Sequence, residues 1–123
     1  MSVNKAILLG RVGKDPEIRD FDNGNKVANF SLATSETWKD KNGEKQESTE
    51  WHNVSVFGKL ADIVESYVLK GQELYIEGKI KTRSWDDQNG DKKYTTEIVL
   101  NGFGDKLQMI GGKKQEEQED NPF

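Results

Sequence analysis

The chain has 123 residues, of which 33% are hydrophobic and 33% are charged, and its formal net charge at pH 7 is −4. This length suits one domain with its own core, and a chain without cysteine has neither a disulfide framework nor thiolate chemistry. Apolar runs are too short for a membrane span and the N-terminus does not have the shape of a signal peptide, so we expect a cytoplasmic protein.

The negative charge comes from the C-terminal end. Four of the 22 acidic residues lie in residues 115–123, which contain no Lys or Arg. The other 18 acidic residues balance the 18 basic ones, so residues 1–114 are neutral and can still carry a basic stripe on one face. Residues 111–123 are too polar to fold alone, and we predict a disordered acidic tail there.

Alternating apolar and polar residues predict that most of the chain is β-strand. We predict strands over residues 4–11, 26–38, 46–59, 73–85 and 94–101, a short arm around Ile18 and Phe21, and a short edge strand over 107–110. Asp15-Pro16 ends the first strand, and Asn-Gly pairs at 23–24 and 89–90 predict turns. No internal repeat is evident.

One helix is predicted over residues 60–69. Its apolar residues recur at helical spacing and are Leu60, Ile63, Val64, Tyr67 and Val68. Gly71 is predicted to be the glycine that ends this helix.

Three strands, a helix and two further strands are the order of elements in an OB-fold, a five-stranded Greek-key barrel. We therefore predict an all-β domain with one short helix and extended β-hairpins over residues 1–110, followed by a flexible tail over 111–123. The fold alone does not determine the function.

The strand around Trp51 has two different faces. One face carries His52, Val54 and Val56, and the other carries Trp51, Asn53, Ser55 and Phe57. The first is an ordinary core face, whereas large aromatics among small polar residues suit a surface that meets something flat. Packing of these rings under a loop or against another subunit is the alternative.

All three tryptophans are predicted to lie outside the core and near polar residues. Trp85 shares its strand face with Lys79, Lys81 and Arg83, and three unpaired cations cannot be buried. Trp38 begins a hairpin tip that contains Lys41. Because bases stack on aromatic rings and phosphates pair with cations, this mixture favours single-stranded nucleic acid. A subunit contact or a loop anchor is the alternative for each tryptophan taken singly.

Catalysis and metal binding are not indicated. His52 is the only histidine and faces the valine side of its strand, where a structural role is expected. Asp86, Asp87 and Asp91 do not have the spacing of a calcium-binding loop. We expect a protein that is not an enzyme and has no catalytic residue, metal or cofactor.

The chain ends with Glu119, Asp120, Asn121, Pro122 and Phe123. This pattern favours a short linear motif in which Phe123 enters an apolar pocket and the acids meet basic residues of a partner. A solubilising tail is the alternative.

Eight stretches, in this order, resemble those of a known family. They are Asn-Lys-Ala-Ile-Leu at 4–8, Gly-Lys-Asp-Pro-Glu at 13–17, Val-Ala-Asn at 27–29, Leu-Ala-Thr-Ser-Glu at 32–36, Thr-Glu-Trp-His at 49–52, Phe-Gly-Lys-Leu-Ala at 57–61, Tyr-Ile-Glu-Gly at 75–78 and Tyr-Thr-Thr-Glu at 94–97. On these stretches, residues 3–112 resemble the bacterial-type single-stranded DNA-binding protein family, and the short tail leaves a phage, plasmid or short-tailed version as the alternatives.

The resemblance implies a homotetramer that wraps single-stranded DNA (ssDNA) and associates with the nucleoid. The residues expected to stack on bases are Trp38, Trp51, Phe57 and Trp85. The expected phosphate contacts are Lys5, Arg19, Lys41, Lys59, Lys70, Lys79, Lys81 and Arg83. The expected subunit interface contains Ile7, Leu8, Leu9, His52 and Tyr75. The resemblance also implies that the C-terminal tip, Glu119 to Phe123, recruits replication, repair and recombination proteins.

The chain departs from the family pattern in its short linker and at Asp20, Asn53 and Asn121, the last of which stands where an apolar residue is usual. Three other functions are alternatives. A dimeric primosome-type assembly factor usually has neither the tryptophan set nor the acidic tip. An OB-fold nuclease needs converging carboxylates with a metal. A pure interaction module would work through the tail alone.

Overall fold

The computed structural model describes residues 1–21, 24–102 and 104–110. In these ranges the chain forms seven strands and one helix. They are β1 (Ala6–Val12), β2 (Glu17–Asp20), β3 (Lys26–Lys39), β4 (Lys45–Phe57), α1 (Lys59–Tyr67), β5 (Glu73–Asp86), β6 (Lys92–Leu100) and β7 (Lys106–Ile110). Each predicted element is present, with its ends shifted by a few residues at most. The predicted tail and tip, and Asn23 of the first predicted turn, lie outside the described residues.

The strands close into a barrel. β3 pairs with β1 and β4, β4 continues to β6 in a parallel pair, β6 continues to β5, and β5 returns to β1. The short strands β2 and β7 add to β3 and β5 outside this circuit. This closed five-stranded barrel confirms the OB-fold that the order of elements predicts.

β5 serves two parts of the barrel and changes partners at Gly78. Before Gly78 it pairs with β1 and β7, and beyond it with β6. A Cβ on Gly78 would lie 2.7 Å from the carbonyl oxygen of Val99 and 2.8 Å from Cδ1 of Leu100. Glycine is therefore required for β5 and β6 to approach this closely at the bend.

The core lies inside the barrel and under α1. Its fully buried large side chains are Leu32, Val54, Val56, Val64, Leu74, Ile76 and Leu100. α1 packs against β3 and β4 through Ala61 and Val64. Leu60 of α1 also packs against the core. Burial of this apolar stripe holds α1 against the barrel.

The prediction for α1 is wrong in two respects. Ile63 and Tyr67 are 37% and 63% exposed, so they do not join the buried stripe. The helix ends at Tyr67, because Val68 is extended and brings its buried side chain into the core. Gly71, with φ of 87°, therefore lies in the turn to β5 and does not end the helix.

Two long hairpins, β3–β4 and β5–β6, extend beyond the barrel. Ile80 and Tyr94 alternate with the outward residues of their strands and are nevertheless 46% and 66% exposed. They are exposed because this part of the hairpin has already left the core. Within the described ranges, no helix has the length and apolarity needed to cross a membrane.

Candidate nucleic-acid interface

One outer surface of the barrel collects polar side chains from neighbouring strands. Asn29 pairs in register with Ser55, and Ser31 with Asn53, so the outward residues of β3 and β4 lie side by side. Ser55 pairs with Val99 of β6, and Val99 pairs with Lys79 of β5. The surface is called the polar face here and contains Glu17, Arg19, Asn29, Ser31, Trp51, Asn53, Ser55, Phe57, Lys79, Lys81, Arg83, Trp85, Thr95, Glu97 and Val99.

Two of the clefts on the polar face are lined by its charged residues. The first has a volume of about 350 Å³ and is lined by Lys14, Arg19 and Asn53, among others. The second has a volume of about 610 Å³, and its lining includes Phe57 and Lys81. Arg83 and Glu97 line both clefts, so this pair lies between them.

Trp51 and Phe57 lie on the polar face in the outward row of β4, with Phe57 at the end of the strand. They are 58% and 38% exposed. The two residues are six positions apart in extended strand, which separates them by about 20 Å. Asn53 and Ser55 lie between the two rings, so β4 presents two aromatic platforms with a polar floor between them.

Trp85 continues the polar face along the β5–β6 hairpin. It is 45% exposed, and the guanidinium carbon of Arg83 lies 5.9 Å from the centroid of its ring. This distance is within the range of a cation–π contact, which holds Arg83 beside the ring.

Trp38 does not share the face of Trp51. Trp38 pairs in register with Gln46, whereas Trp51 pairs with Ala33, which places the two rings on opposite faces of the β3–β4 hairpin. Trp38 is 49% exposed. The structure therefore brings three of the four predicted stacking residues onto one face and leaves Trp38 on the other side of a hairpin.

The two hairpin tips repeat one sequence motif that the sequence analysis missed. Residues 38–44 read Trp-Lys-Asp-Lys-Asn-Gly-Glu and residues 85–91 read Trp-Asp-Asp-Gln-Asn-Gly-Asp, so both follow Trp-x-Asp-x-Asn-Gly-acid. This repeat could have been found in the sequence, because both seven-residue segments carry the same residue types at the positions of the motif.

Each tip is closed by its own aspartate. The backbone N–H groups of Asn42 and Glu44 donate to Oδ1 of Asp40, both at 2.9 Å. The same two bonds, with the same distances, run from residues 89 and 91 to Oδ1 of Asp87. Asp87 therefore has a structural role in its loop, and both tryptophans stand at the same place on similar scaffolds.

The cations of the polar face are partly neutralised. Nε of Arg83 donates to Oε2 of Glu97 at 2.6 Å, and Nζ of Lys79 lies 3.7 Å from Asp105. The prediction that three unpaired cations accompany Trp85 is thus wrong for Lys79 and Arg83. Carboxylates on neighbouring strands and loops, which the sequence pattern did not place, are the reason. Among the described residues, Lys81 forms no ion pair.

The other predicted phosphate contacts are distributed unevenly. Lys5 forms an ion pair with Glu77 at 3.0 Å on the outer surface of β1 and β5, away from the polar face. Lys41 lies at the tip of the β3–β4 hairpin and Lys59 begins α1. The backbone N–H of Lys70 donates to Asp15, which lines the first cleft.

Glu97 is the central carboxylate of the polar face. The hydroxyl of Ser55 lies 2.5 Å from Oε1 of Glu97 and 2.7 Å from Oδ1 of Asn29. Burial raises the pKa of Glu97, but the hydrogen bonds from Ser55 and Arg83 outweigh it and hold the pKa below its usual value. Ser55, only 5% exposed, was predicted as part of an outward surface and is instead covered by this network.

The predicted interface residues lie elsewhere on the barrel. Ile7 and Leu9 point outward and are 57% and 53% exposed, next to Glu77 and Tyr75 in register. Leu8 packs against the core. His52 and Tyr75 each have a hydrogen-bonding partner. Nε2 of His52 lies 2.9 Å from the hydroxyl of Thr34, and the hydroxyl of Tyr75 donates to Glu77, which raises the pKa of Tyr75.

An OB-fold barrel whose outer face combines exposed aromatic rings with cations belongs to the class of oligonucleotide- and oligosaccharide-binding proteins. Residues 3–110 match the model of the single-strand binding protein family, and the chain belongs to that family.

Two of the solved structures that are similar to the chain are those of proteins from Plasmodium falciparum and Thermus aquaticus. The single-stranded DNA-binding protein of Plasmodium falciparum, solved in complex with ssDNA, is 39% identical, with a TM-score of 0.82 over 89% of this chain and 96% of that one. A deletion variant of the single-stranded DNA-binding protein of Thermus aquaticus is 23% identical, with a TM-score of 0.71 over 88% of this chain and 50% of that one. The similarity to the Thermus aquaticus protein concerns the fold alone.

Replacing the aspartate of one hairpin tip is expected to loosen the backbone of that tip and to leave the other tip unchanged. Asp40→Ala removes the acceptor of two backbone N–H groups, so the amides of Asn42 and Glu44 should exchange with solvent severalfold faster. Residues 89 and 91 serve as the internal control and should be unchanged, and Asp87→Ala should give the converse pattern. Hydrogen exchange followed by NMR measures this, and equal acceleration in both tips would contradict the assignment.

The lowered pKa of Glu97 predicts that the fold becomes less stable in acid. Because its pKa is lower in the folded state, Glu97 contributes stability that is present above its unfolded pKa, about 4.5, and is lost as pH falls through the folded pKa. The free energy of unfolding in urea should therefore decrease less between pH 7 and pH 2.5 in Glu97→Gln than in the wild type. The same decrease in both proteins would contradict the prediction.

Proposed function

We propose that the chain is a sequence-tolerant ssDNA-binding protein that coats and protects exposed strands in replication, recombination and repair, without enzymatic activity. The observation that carries the proposal is the pair of exposed rings, Trp51 and Phe57, on the outward side of a strand whose inward side is the core. Membership of the single-strand binding protein family and the ssDNA complex of the Plasmodium relative support it.

In the proposed binding mode, bases stack on Trp51, Phe57 and Trp85. Trp38 contacts the part of the DNA strand that passes around the β3–β4 hairpin. Each stacked base is worth about 1–3 kcal/mol, and stacking accepts any base because every base has a flat face. Sequence tolerance follows from this mode, since the energy comes from rings and not from base edges.

In the same mode, phosphates follow the rings through neighbouring cations. Arg19 and Lys81 line the clefts, and Lys59 lies two residues beyond Phe57. Arg83 contacts a phosphate by exchanging its bond to Glu97 for a bond to the DNA, so its net contribution is smaller than that of an unpaired arginine. Lys41 and Lys70 extend the path at its ends. Lys5 and Lys79, which already have carboxylate partners, are proposed as weaker contacts.

We also propose a homotetramer. Ile7 and Leu9 form an exposed apolar row on β1, and such rows on a soluble domain mark association surfaces. In the described residues, β1 pairs with β3 only through Arg11 and Val12, so the edge of its first half is open for another strand. Tyr75, beside Leu9, belongs to the same proposed surface, and Leu8 supports it from the core side, whereas His52 would contribute to a separate contact.

The proposed division of labour places DNA binding and assembly in residues 1–110 and partner recruitment in residues 111–123. The acidic residues Glu119 and Asp120, followed by Asn121, Pro122 and Phe123, would bind a partner with an apolar pocket and a basic rim.

The ssDNA proposal is tested by titrating poly(dT) and following tryptophan fluorescence at several salt concentrations. We expect quenching, and an affinity whose logarithm falls with the logarithm of salt by about 0.7 per phosphate contact. Trp51→Ala should weaken binding by about 1–3 kcal/mol with an unchanged melting temperature. Tyr67→Ala, which removes a somewhat more exposed ring from α1, is the matched control and should bind as the wild type does. Unchanged emission at saturating DNA would contradict the proposal.

The tetramer is tested by light scattering after size exclusion. The wild type should have the mass of four 14.0-kDa chains, and Leu9→Asp should give smaller species with an unchanged circular dichroism spectrum. Leu69→Asp, at another exposed leucine, is the control and should remain tetrameric. A wild-type monomer would rule out the proposed assembly.

The role of the tip is tested by deleting Pro122 and Phe123. The deletion should leave poly(dT) affinity unchanged and abolish capture of replication and repair proteins on an immobilised column. Retained capture would count against a motif that depends on the terminal aromatic residue.

A further inference from the structure

Trp51 lies directly against the backbone of the loop that follows β1. A Cβ built on Gly13 would lie 2.5 Å from Cζ3 of Trp51, 3.0 Å from Cη2 and 3.5 Å from Cε3. These are atoms of the six-membered ring, so one end of the indole occupies the space that any side chain at position 13 would need. Glycine is what allows the ring to be there.

The backbone at this position is held from several sides and cannot retreat from the ring. The N–H of Gly13 donates to the carbonyl oxygen of Ser31 at 3.0 Å, and that of Val12 donates to Gln72 at 3.0 Å. Two residues further on, Asp15 accepts the N–H of Lys70 at 2.8 Å. The Trp51 side chain, 58% exposed, is the movable partner in this contact.

We propose that Gly13 is a positioning residue for ssDNA, which fixes the orientation of the Trp51 ring before a base stacks on it. This inference rests on the proposed function. A ring that is already oriented loses less conformational freedom when DNA binds, so the contact should appear as affinity. Gly13 itself contributes no side chain to the DNA.

The position tolerates alanine in every respect except the ring. Gly13 is not among the described glycines with positive φ, so its backbone conformation is open to alanine. Gly10 is the contrasting case, because its Cβ would lie 2.2 Å from the backbone oxygen of Ala33. Gly10→Ala should therefore destabilise the barrel, whereas Gly13→Ala should displace only the exposed ring.

The test is a double-mutant cycle on poly(dT) affinity with Gly13→Ala, Trp51→Ala and the double variant. Trp51→Ala should lower the affinity by about 5- to 150-fold, which is the expected range for one stacking platform. Gly13→Ala alone should lower it by a part of that factor, with an unchanged melting temperature. In the Trp51→Ala background, Gly13→Ala should have no further effect, because the ring that it displaces is gone.

A second readout follows the ring without DNA. In a protein that keeps Trp51 alone, through Trp38→Phe and Trp85→Phe, Gly13→Ala should shift the emission maximum and increase quenching by acrylamide. This measurement does not depend on the proposed function. If the wild type failed to bind poly(dT), the proposed function would fall while the contact itself could still be observed.

Several results would overturn the inference. They are wild-type affinity in Gly13→Ala, an equal loss of affinity in both backgrounds of the cycle, and unchanged emission of the single-tryptophan protein. If Gly13→Ala instead lowers the melting temperature, removal of the ring by Trp51→Ala should restore it. A melting temperature that stays low would overturn the inference as well. Gly10→Ala is the control that Trp51→Ala should not rescue.

Discussion

The alternation of side chains along β4 is the constraint on which the polar face depends. Val54 and Val56 must point inward to fill the barrel, and this requirement turns Trp51 and Phe57 outward on the same strand. A slip of one residue would exchange the two sets, so the buried valines hold the exposed rings in register. The long β3–β4 ladder and the Gly78 bend in β5 then bring polar residues of four further strands to the same surface. The inward face of β4 thus stabilises the barrel, and its outward face carries the proposed binding site.

Electrostatics on this surface are balanced and not simply basic. Arg83 is held between Glu97 and Trp85, and Glu97 is held in turn by Ser55. Such a network keeps the guanidinium in a defined place beside the rings while DNA is absent. A polyanion must then compete with Glu97 for Arg83, which makes the aromatic rings the larger share of the proposed affinity and explains how a chain with net charge −4 can present an ssDNA surface.

The order of elements and the barrel could be predicted from the sequence because the strands are long and strongly periodic. Local pattern fails where a strand or helix outruns the core, as at Ile80, Tyr94 and Ile63, since periodicity cannot say where the barrel ends. Ion pairs such as Arg83–Glu97 depend on cross-strand register, which a single chain read in order does not provide. The contact of Gly13 with Trp51 could not be predicted either, because it joins residues that are far apart in the sequence. The repeated hairpin motif, by contrast, was present in the sequence. Its two copies form two hairpin tips that are closed by the same hydrogen bonds.

The central claim is that bases stack on the rings of the polar face, and photo-cross-linking tests it most directly. The wild-type protein would be irradiated with ssDNA containing 5-iododeoxyuridine, and the cross-linked residues identified by mass spectrometry. We predict cross-links at Trp51, Phe57 and Trp85. Tyr67 and Tyr94 are more exposed than any of these rings but lie off the polar face, so they report on reaction by exposure alone. Cross-links confined to the two tyrosines would contradict the account.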